Sequence, residues 1–284
     1  MSLTPNPLPD QLAGESASVP AASDGALAAP EQAVSAPEEK PFPAWSGWDV
    51  AATLVLTLLA IFVFTVAALL VAHSFPAYRH APFTDLTTNA KIVIAAQATA
   101  YPVVLIFIFL MVRSRSRQRF AMAIRWRWPG AVAPAFMAGG VVLAIVVEGL
   151  ARFLPIPKSL PMDTYFHDAT SAYMMAAFGI TLAPLLEELF FRGLLYPLLD
   201  RAFGVVVGVL LTAAGFAAIH GAQLGYAWAP VLSIFVVGVV FTVVRVRTKS
   251  VASCFLMHCG YNLALFTALW LGSDHFRHLE KVAG

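Results

Sequence analysis

Charge is scarce in this chain. Asp, Glu, Lys and Arg together make up 12% of its 284 residues, about half of the roughly 25% usual in soluble domains. Hydrophobic residues make up 59%, and the mean hydropathy is +0.76. That balance excludes an ordinary water-soluble domain and predicts a polytopic membrane protein. The net charge of +2 is too small to point to nucleic acid. Cysteine is almost absent. Cys254 and Cys259 share one apolar stretch, which gives neither a disulfide framework nor a C-x-x-C metal pair, and both read as small buried hydrophobes. No internal repeat is evident, which weakens a transporter reading. The H-E-x-x-H pattern of common zinc proteases is missing.

Residues 1–47 are poor in aromatic and β-branched side chains and rich in Ala, Pro, Ser and Glu. Such a segment buries too little apolar surface to offset its ordering entropy, so it reads as a disordered tail. It has no basic start followed by an apolar core and a small-residue cleavage site, so it is not a secretory signal, and the first span is expected to act as an uncleaved anchor.

Apolar stretches near 49–74, 90–112, 130–155, 170–199, 205–220, 226–244 and 250–272 are long enough to cross, or nearly cross, a core that needs about 20 helical residues. The expectation is an all-α, polytopic transmembrane helical bundle of about seven to eight spans. It divides into the tail (1–47), N-terminal transmembrane helices (48–165), a C-terminal transmembrane core (166–272) and a short polar C-terminal tail (273–284). The fifth stretch is short enough to be partly re-entrant. Trp45, Trp48, Trp126, Trp128 and Trp228 fall at span ends, where amphipathic rings prefer to sit. Pro102 and Pro184 predict kinks.

Lys and Arg concentrate on one side of these spans. The loop RSRSRQRFAMAIRWRW carries Arg113, Arg115, Arg117, Arg119, Arg125 and Arg127, and Lys40, Arg192, Arg201, Arg245, Arg247 and Lys249 fall on the same side. The positive-inside rule makes that side cytoplasmic, with the N-terminus inside and, for seven spans, the C-terminus outside. The expected location is a cytoplasmic (inner) membrane. Anionic lipid headgroups are the expected partners of the Arg-rich loop, in preference to nucleic acid.

Against this apolar background the stretch LLEELFFRGLLY at 185–196 stands out. Charges inside a membrane are costly and face the bundle interior or a wet cavity, so they are functional hypotheses by default. Glu188 and Arg192 are four apart and share a helical face, which predicts a neutralising ion pair. Glu187 points about 100° away with no sequence-local partner. Phe216 and His220 are also four apart, as are His258 and Asn262. Taking 1.5 Å per residue from the cytoplasmic span ends, Glu187 lies about 20 Å deep, His220 about 27 Å, His258 about 14 Å and Asn262 about 20 Å. These four groups can therefore approach one layer, His220 least comfortably.

A carboxylate among apolar side chains can be poised to take a proton from water and pass it on. An imidazole and a carboxamide on one face can stabilise a developing oxyanion. Together they suit an amide hydrolase that activates water without a covalent nucleophile. Alternatively, Glu187, His220 and His258 supply the ligands of a zinc ion with an open position for water. Spacing does not separate the two. Each motif also has a plainer reading. Glu188 with Arg192 is more readily a structural ion pair than a chemical one, and His258 with Asn262 can simply bond helices together. Glu148 and Arg152 are read as an interfacial salt pair. His73, His80, His167, His275 and His278 fall in outer loops or termini and receive no role.

Taken in order, E-E-x-x-x-R at Glu187, Glu188 and Arg192, F-x-x-x-H at Phe216 and His220, and H-x-x-x-N at His258 and Asn262 resemble the CPBP family of intramembrane proteases. That family groups the second type of CAAX prenyl endopeptidase with bacteriocin-processing and Abi-like proteins. The similar region runs from about Thr170 to Phe266, including APLLEELFFRGLLYPLL and VRTKSVASCFLMH. The resemblance implies a fold of about eight helices and a membrane-associated protein or peptide as substrate. It also implies that Glu187 activates water with His220 assisting, that His258 and Asn262 stabilise the oxyanion, and that Glu188 and Arg192 support them. It favours a glutamate mechanism without a cofactor over the zinc-dependent version. A non-catalytic immunity or scaffold protein is the alternative from another class, and a proton-coupled transporter ranks third.

Overall fold

The structure, a computed structural model, describes residues 42–279. The expected tail through residue 41 and the last residues from 280 lie outside them. The described chain is helical throughout. It runs through α1 (Gly47–Ser74), the short α2 (Phe83–Thr87), α3 (Ala90–Arg115), α4 (Phe120–Ala123) and α5 (Ala133–Ala151). Then follow α6 (Ala169–Ile180), α7 (Leu182–Glu188), a π-helical turn (Leu189–Leu195), α8 (Tyr196–His220), α9 (Trp228–Thr248) and α10 (Val251–Gly272).

Helix starts follow local capping chemistry. Ser46 and Asp49 form a reciprocal capping box at α1, the Ser46 N–H donating to Asp49 Oδ2 at 2.8 Å. Asp168 accepts from the Ser171 N–H at α6 (3.0 Å), and the Ser250 hydroxyl accepts from the Ser253 N–H at α10 (3.1 Å). Each satisfies an N–H that the helix itself leaves unpaired. Pro184 acts earlier than a kink at its own position would suggest. It has no N–H for the carbonyl of residue 180, so α6 ends at Ile180 and the chain restarts at Leu182 through a non-helical Thr181 (φ −120°, ψ −71°).

Among the described residues six helical runs are long and apolar enough to cross a membrane. One of them, Ala169–His220, holds 52 residues, about 78 Å at 1.5 Å per residue, far more than one crossing. Gly204 resolves the excess. Its φ of +79° and ψ of 169° break the helix, a conformation that glycine adopts at no steric cost. The chain doubles back there, bringing the Gly208 Cα within reach of the Asp200 backbone and the Phe191 ring 5.3 Å from that of Phe216. The fourth and fifth expected stretches are therefore two antiparallel arms of one run, and the bundle is polytopic as its composition requires.

α10 is the axis of the C-terminal half. From Val251 to Tyr261 only Phe255 is not fully buried. Its closest neighbour is α5, where a Cβ on Gly140 would collide with the backbone of Met257 and Tyr261, and one on Gly260 with the Met137 backbone. Small residues at such a seam let two membrane helices touch backbone to backbone.

Three expectations change. Trp45, read as an interfacial anchor in the tail, is 1% exposed and donates its indole N–H to the Leu194 carbonyl at 2.9 Å. A buried indole needs a partner, and the π-turn leaves that carbonyl available. Glu148 and Arg152, read as a salt pair, form no contact ion pair among the described residues, and the Arg152 charge acts on Glu148 only at longer range. Phe276, in the stretch read as a polar tail, is buried and packs edge-on against Tyr173 at 4.9 Å.

Candidate functional site

The charges in LLEELFFRGLLY converge with α9 and α10. Glu188 and Arg192 are both fully buried, with Arg192 Nη1 donating to Glu188 Oε1 at 2.9 Å. The pair spans the junction of α7 and the π-turn. Such turns are frequent at functional sites because they re-aim side chains within an otherwise regular helix. The rest of the guanidinium is also satisfied. Nη2 donates to the Gly238 carbonyl (3.0 Å) and Nε to the Thr242 hydroxyl (3.3 Å). The cation also lies over the Phe216 ring, 4.5 Å from its centroid. A buried charge persists only when it is paired and hydrogen-bonded, and Arg192 meets that condition from two other helices. Arg245 in turn donates Nε to the Arg192 carbonyl at 3.1 Å.

The same Glu188 oxygen reaches α10, where His258 Nδ1 lies 2.9 Å from Oε1. Since that oxygen accepts, Nδ1 carries the hydrogen, and the opposite ring nitrogen turns toward Glu187, with Nε2 3.8 Å from Oε2. His258 is 4% exposed, walled by Phe216 (ring centroids 5.7 Å) and Phe241 (4.8 Å). Glu187 differs from its neighbour. Its side chain is 18% exposed, and it makes no hydrogen bond among the described residues. The structure therefore brings Glu187, Glu188, Arg192, Phe216 and His258 into one cluster. One carboxylate is buried and held through a single oxygen, its Oε2 unpartnered among the described residues, and the next is partly open.

His220 joins this cluster through Phe216. Its ring lies 4.9 Å from that of Phe216, and its Nδ1 lies 2.8 Å from the Phe216 carbonyl. The carbonyl can only accept, so Nδ1–H donates and Nε2 is left as an acceptor. Asn262 stands one turn beyond His258 on α10. It donates Nδ2 to the Gly179 carbonyl at 2.6 Å, which leaves its second amide hydrogen and its carbonyl for other partners. Glu187, His220 and His258, the ligand set of the zinc alternative, do not form such a group, and among the described residues no three His, Cys, Asp or Glu side chains do.

Sequence spacing did not find the Glu188–His258 contact or the Arg192–Gly238–Thr242 cage. The second had a signal, because Gly238, Thr242 and Arg245 recur at i, i+4 and i+7 along one face of an apolar helix. The first had none, since the partners lie on helices far apart in the chain.

The fold and this cluster define a polytopic helical membrane protein with a carboxylate, imidazole and guanidinium network buried between its helices. Within it, residues 169–264 match the family model of type II CAAX prenyl endopeptidase Rce1-like proteins. That segment carries every residue of the three motifs, from Glu187 to Asn262, and is the segment whose resemblance to the CPBP proteases is described above. Comparison with curated proteins and with solved structures gives no match.

Proposed function

We propose that this protein is an intramembrane endopeptidase that hydrolyses a peptide bond of a membrane-associated substrate, with water activated by Glu187. The observation that carries the reading is the contrast between the two glutamates of an Rce1-like segment. Glu188 holds both Arg192 and His258 through Oε1, its buried Oε2 having no hydrogen-bond partner among the described residues, whereas Glu187 makes no hydrogen bond among them, is partly open and lies 3.8 Å from the His258 ring.

In this reading Glu187 takes a proton from water as the oxygen attacks the scissile carbonyl carbon. His220, with Nδ1–H tied to a carbonyl, offers Nε2 to orient that water. His258 has a more specific part than a generic donor. With Nδ1–H held by Glu188, its ring presents Nε2 toward Glu187, so it donates to the oxyanion after receiving from Glu187 the proton taken from water. Glu188 then lies against the imidazolium and stabilises it, as the orienting carboxylate does in a serine protease triad. Asn262 supplies its remaining amide hydrogen to the same oxygen. The proton passes at last to the leaving amine, and no covalent intermediate forms.

The substrate is a membrane-anchored protein or peptide, of CAAX-like, sorting-signal or precursor type. The Arg-rich side faces the cytoplasm, the N-terminus is inside, and the membrane is the cytoplasmic (inner) one. The test is cleavage by the purified protein of a panel of prenylated and unmodified membrane peptides, read by product mass with and without a chelator. Chelator-resistant cleavage is expected. Chelator-sensitive cleavage restored by zinc contradicts the water-activation scheme, and no cleavage of any member favours the scaffold or immunity role.

A further inference from the structure

A second concentration of charge lies away from Glu187, at the end of the bundle that carries the Arg-rich loop. There a cavity of about 180 Å³ opens between that loop, the start of α8 and the end of α9, lined by Phe42, Arg125, Tyr196, Asp200, Arg245 and Lys249 among others. Three cations and one acid stand in that wall. At ~30 Å³ per water the space holds about six waters, room for a tetrahedral anion and part of what it is attached to.

Two independent observations point to an anionic ligand. Arg245 is 2% exposed and spends Nε on the Arg192 carbonyl, but its buried Nη2 has no hydrogen-bond partner among the described residues. Buried donors are normally satisfied, and a guanidinium is the side chain best shaped to meet a phosphate. Secondly, Arg125 and Lys249 both hold left-handed backbone (φ +60° and +52°), where glycine is the residue without steric cost. At both positions the chain keeps a long cation instead, and both residues line the cavity. Arg125 is fixed there by its carbonyl, which accepts from the Val251 N–H at 3.0 Å, and by the Phe42 ring 3.9 Å from its guanidinium. Burial, and after it the neighbouring Arg127, holds the Arg125 guanidinium below the usual arginine range, a condition that a bound anion relieves.

We propose that this cavity binds a phosphate ester, held by Arg125, Arg245 and Lys249. It is a built site, unlike the diffuse attraction of exposed loop arginines for a lipid surface, and it does not rest on the protease reading. Because Arg245 also holds the Arg192 carbonyl, the bound anion sits one residue from the π-turn that carries the Glu188 ion pair.

The full chain in nonionic detergent is titrated with dioctanoyl phosphatidylglycerol, with inorganic phosphate, and with dioctanoylglycerol as a lipid lacking phosphate, using calorimetry and thermal melting. Saturable binding of at least one phosphate probe is expected, weakened about tenfold or more by Arg125→Gln and by Lys249→Gly, as loss of one charge-assisted contact implies. Lys249→Gly also removes the left-handed strain, so its melting temperature without ligand stays level or rises. Arg117→Gln, on the exposed loop outside the cavity, leaves binding unchanged. Binding of the phospholipid alone assigns the ligand to the membrane; competition by inorganic phosphate shows that the free ion suffices. The proposal is overturned if neither phosphate probe saturates, if dioctanoylglycerol binds as well as the phospholipid, or if Arg117→Gln weakens binding as much as the cavity variants.

Discussion

Arg192 is the residue on which the most neighbours depend. It neutralises Glu188, caps the Gly238 carbonyl and rests on Phe216. Replacing it with methionine keeps the bulk but leaves Glu188 buried without a cation, which costs about 3–5 kcal/mol. Arg192→Met should therefore lower the melting temperature sharply. The double variant Arg192→Met with Glu188→Leu should recover much of the loss, because burying neither charge is often neutral. A double variant as unstable as the single one contradicts this picture. The i, i+4 spacing made the pair legible in the sequence. The third member was not. A histidine 70 residues away meets Glu188 only through tertiary packing, and no local period encodes that. Glu187 shows the opposite case, since its lack of a partner on its own helix was readable and among the described residues the fold supplies no hydrogen bond.

Among the elements, one glycine seam fixes how two helices meet. α5 and α10 touch at Gly140 and Gly260, where any Cβ meets backbone rather than a movable side-chain tip. Gly260→Ala is accordingly expected to cost about 1–3 kcal/mol or more as an overpacking change, seen as a lower thermal midpoint. An unchanged midpoint would show the seam to be looser than described. The cap of α6 gives a pH-dependent case. Asp168 accepts from the Ser171 N–H and hydroxyl and pairs with Lys91 at 3.2 Å. The Ser171 backbone bond first, with Ser171 and Lys91 side chains behind it, holds its carboxyl below the usual aspartate range. A depressed carboxylate contributes stability that is present above the unfolded value of about 3.9 and is lost as pH falls through the folded one. Asp168→Ala should cost about 1 kcal/mol near neutrality, mostly through the cap because the ion pair is half exposed. The difference from wild type should shrink below pH ~4. A constant difference down to strong acid would assign the effect to packing. Pro184 and the short fifth stretch were both visible as punctuation in the sequence. The π-turn was not, because nothing in the spacing of Leu189–Leu195 marks the extra residue.

At the scale of the molecule, hydropathy alone predicted a polytopic bundle, since apolar runs of this length leave few other solutions in lipid. What it divided wrongly were the margins. Trp45 and Phe276 lie outside the long apolar runs yet are buried, because a single aromatic ring can enter the core without a periodic neighbour to announce it. The topology proposed from the Lys and Arg distribution predicts that a cysteine placed at Arg117 reacts with an impermeant thiol reagent only after the cytoplasmic side is opened. Labelling from outside intact cells would reverse the orientation.

The central claim is that Glu187 activates the attacking water while Glu188 only positions His258. It is tested most directly by the single-turnover cleavage rate of Glu187→Gln on a peptide that wild type cleaves, beside its melting temperature. Glu187 is unbonded and partly open, so the variant should melt close to wild type, and its rate should fall at least about 10²-fold, the low end of what a general base contributes. A rate within a few-fold of wild type in an equally stable variant would contradict the account.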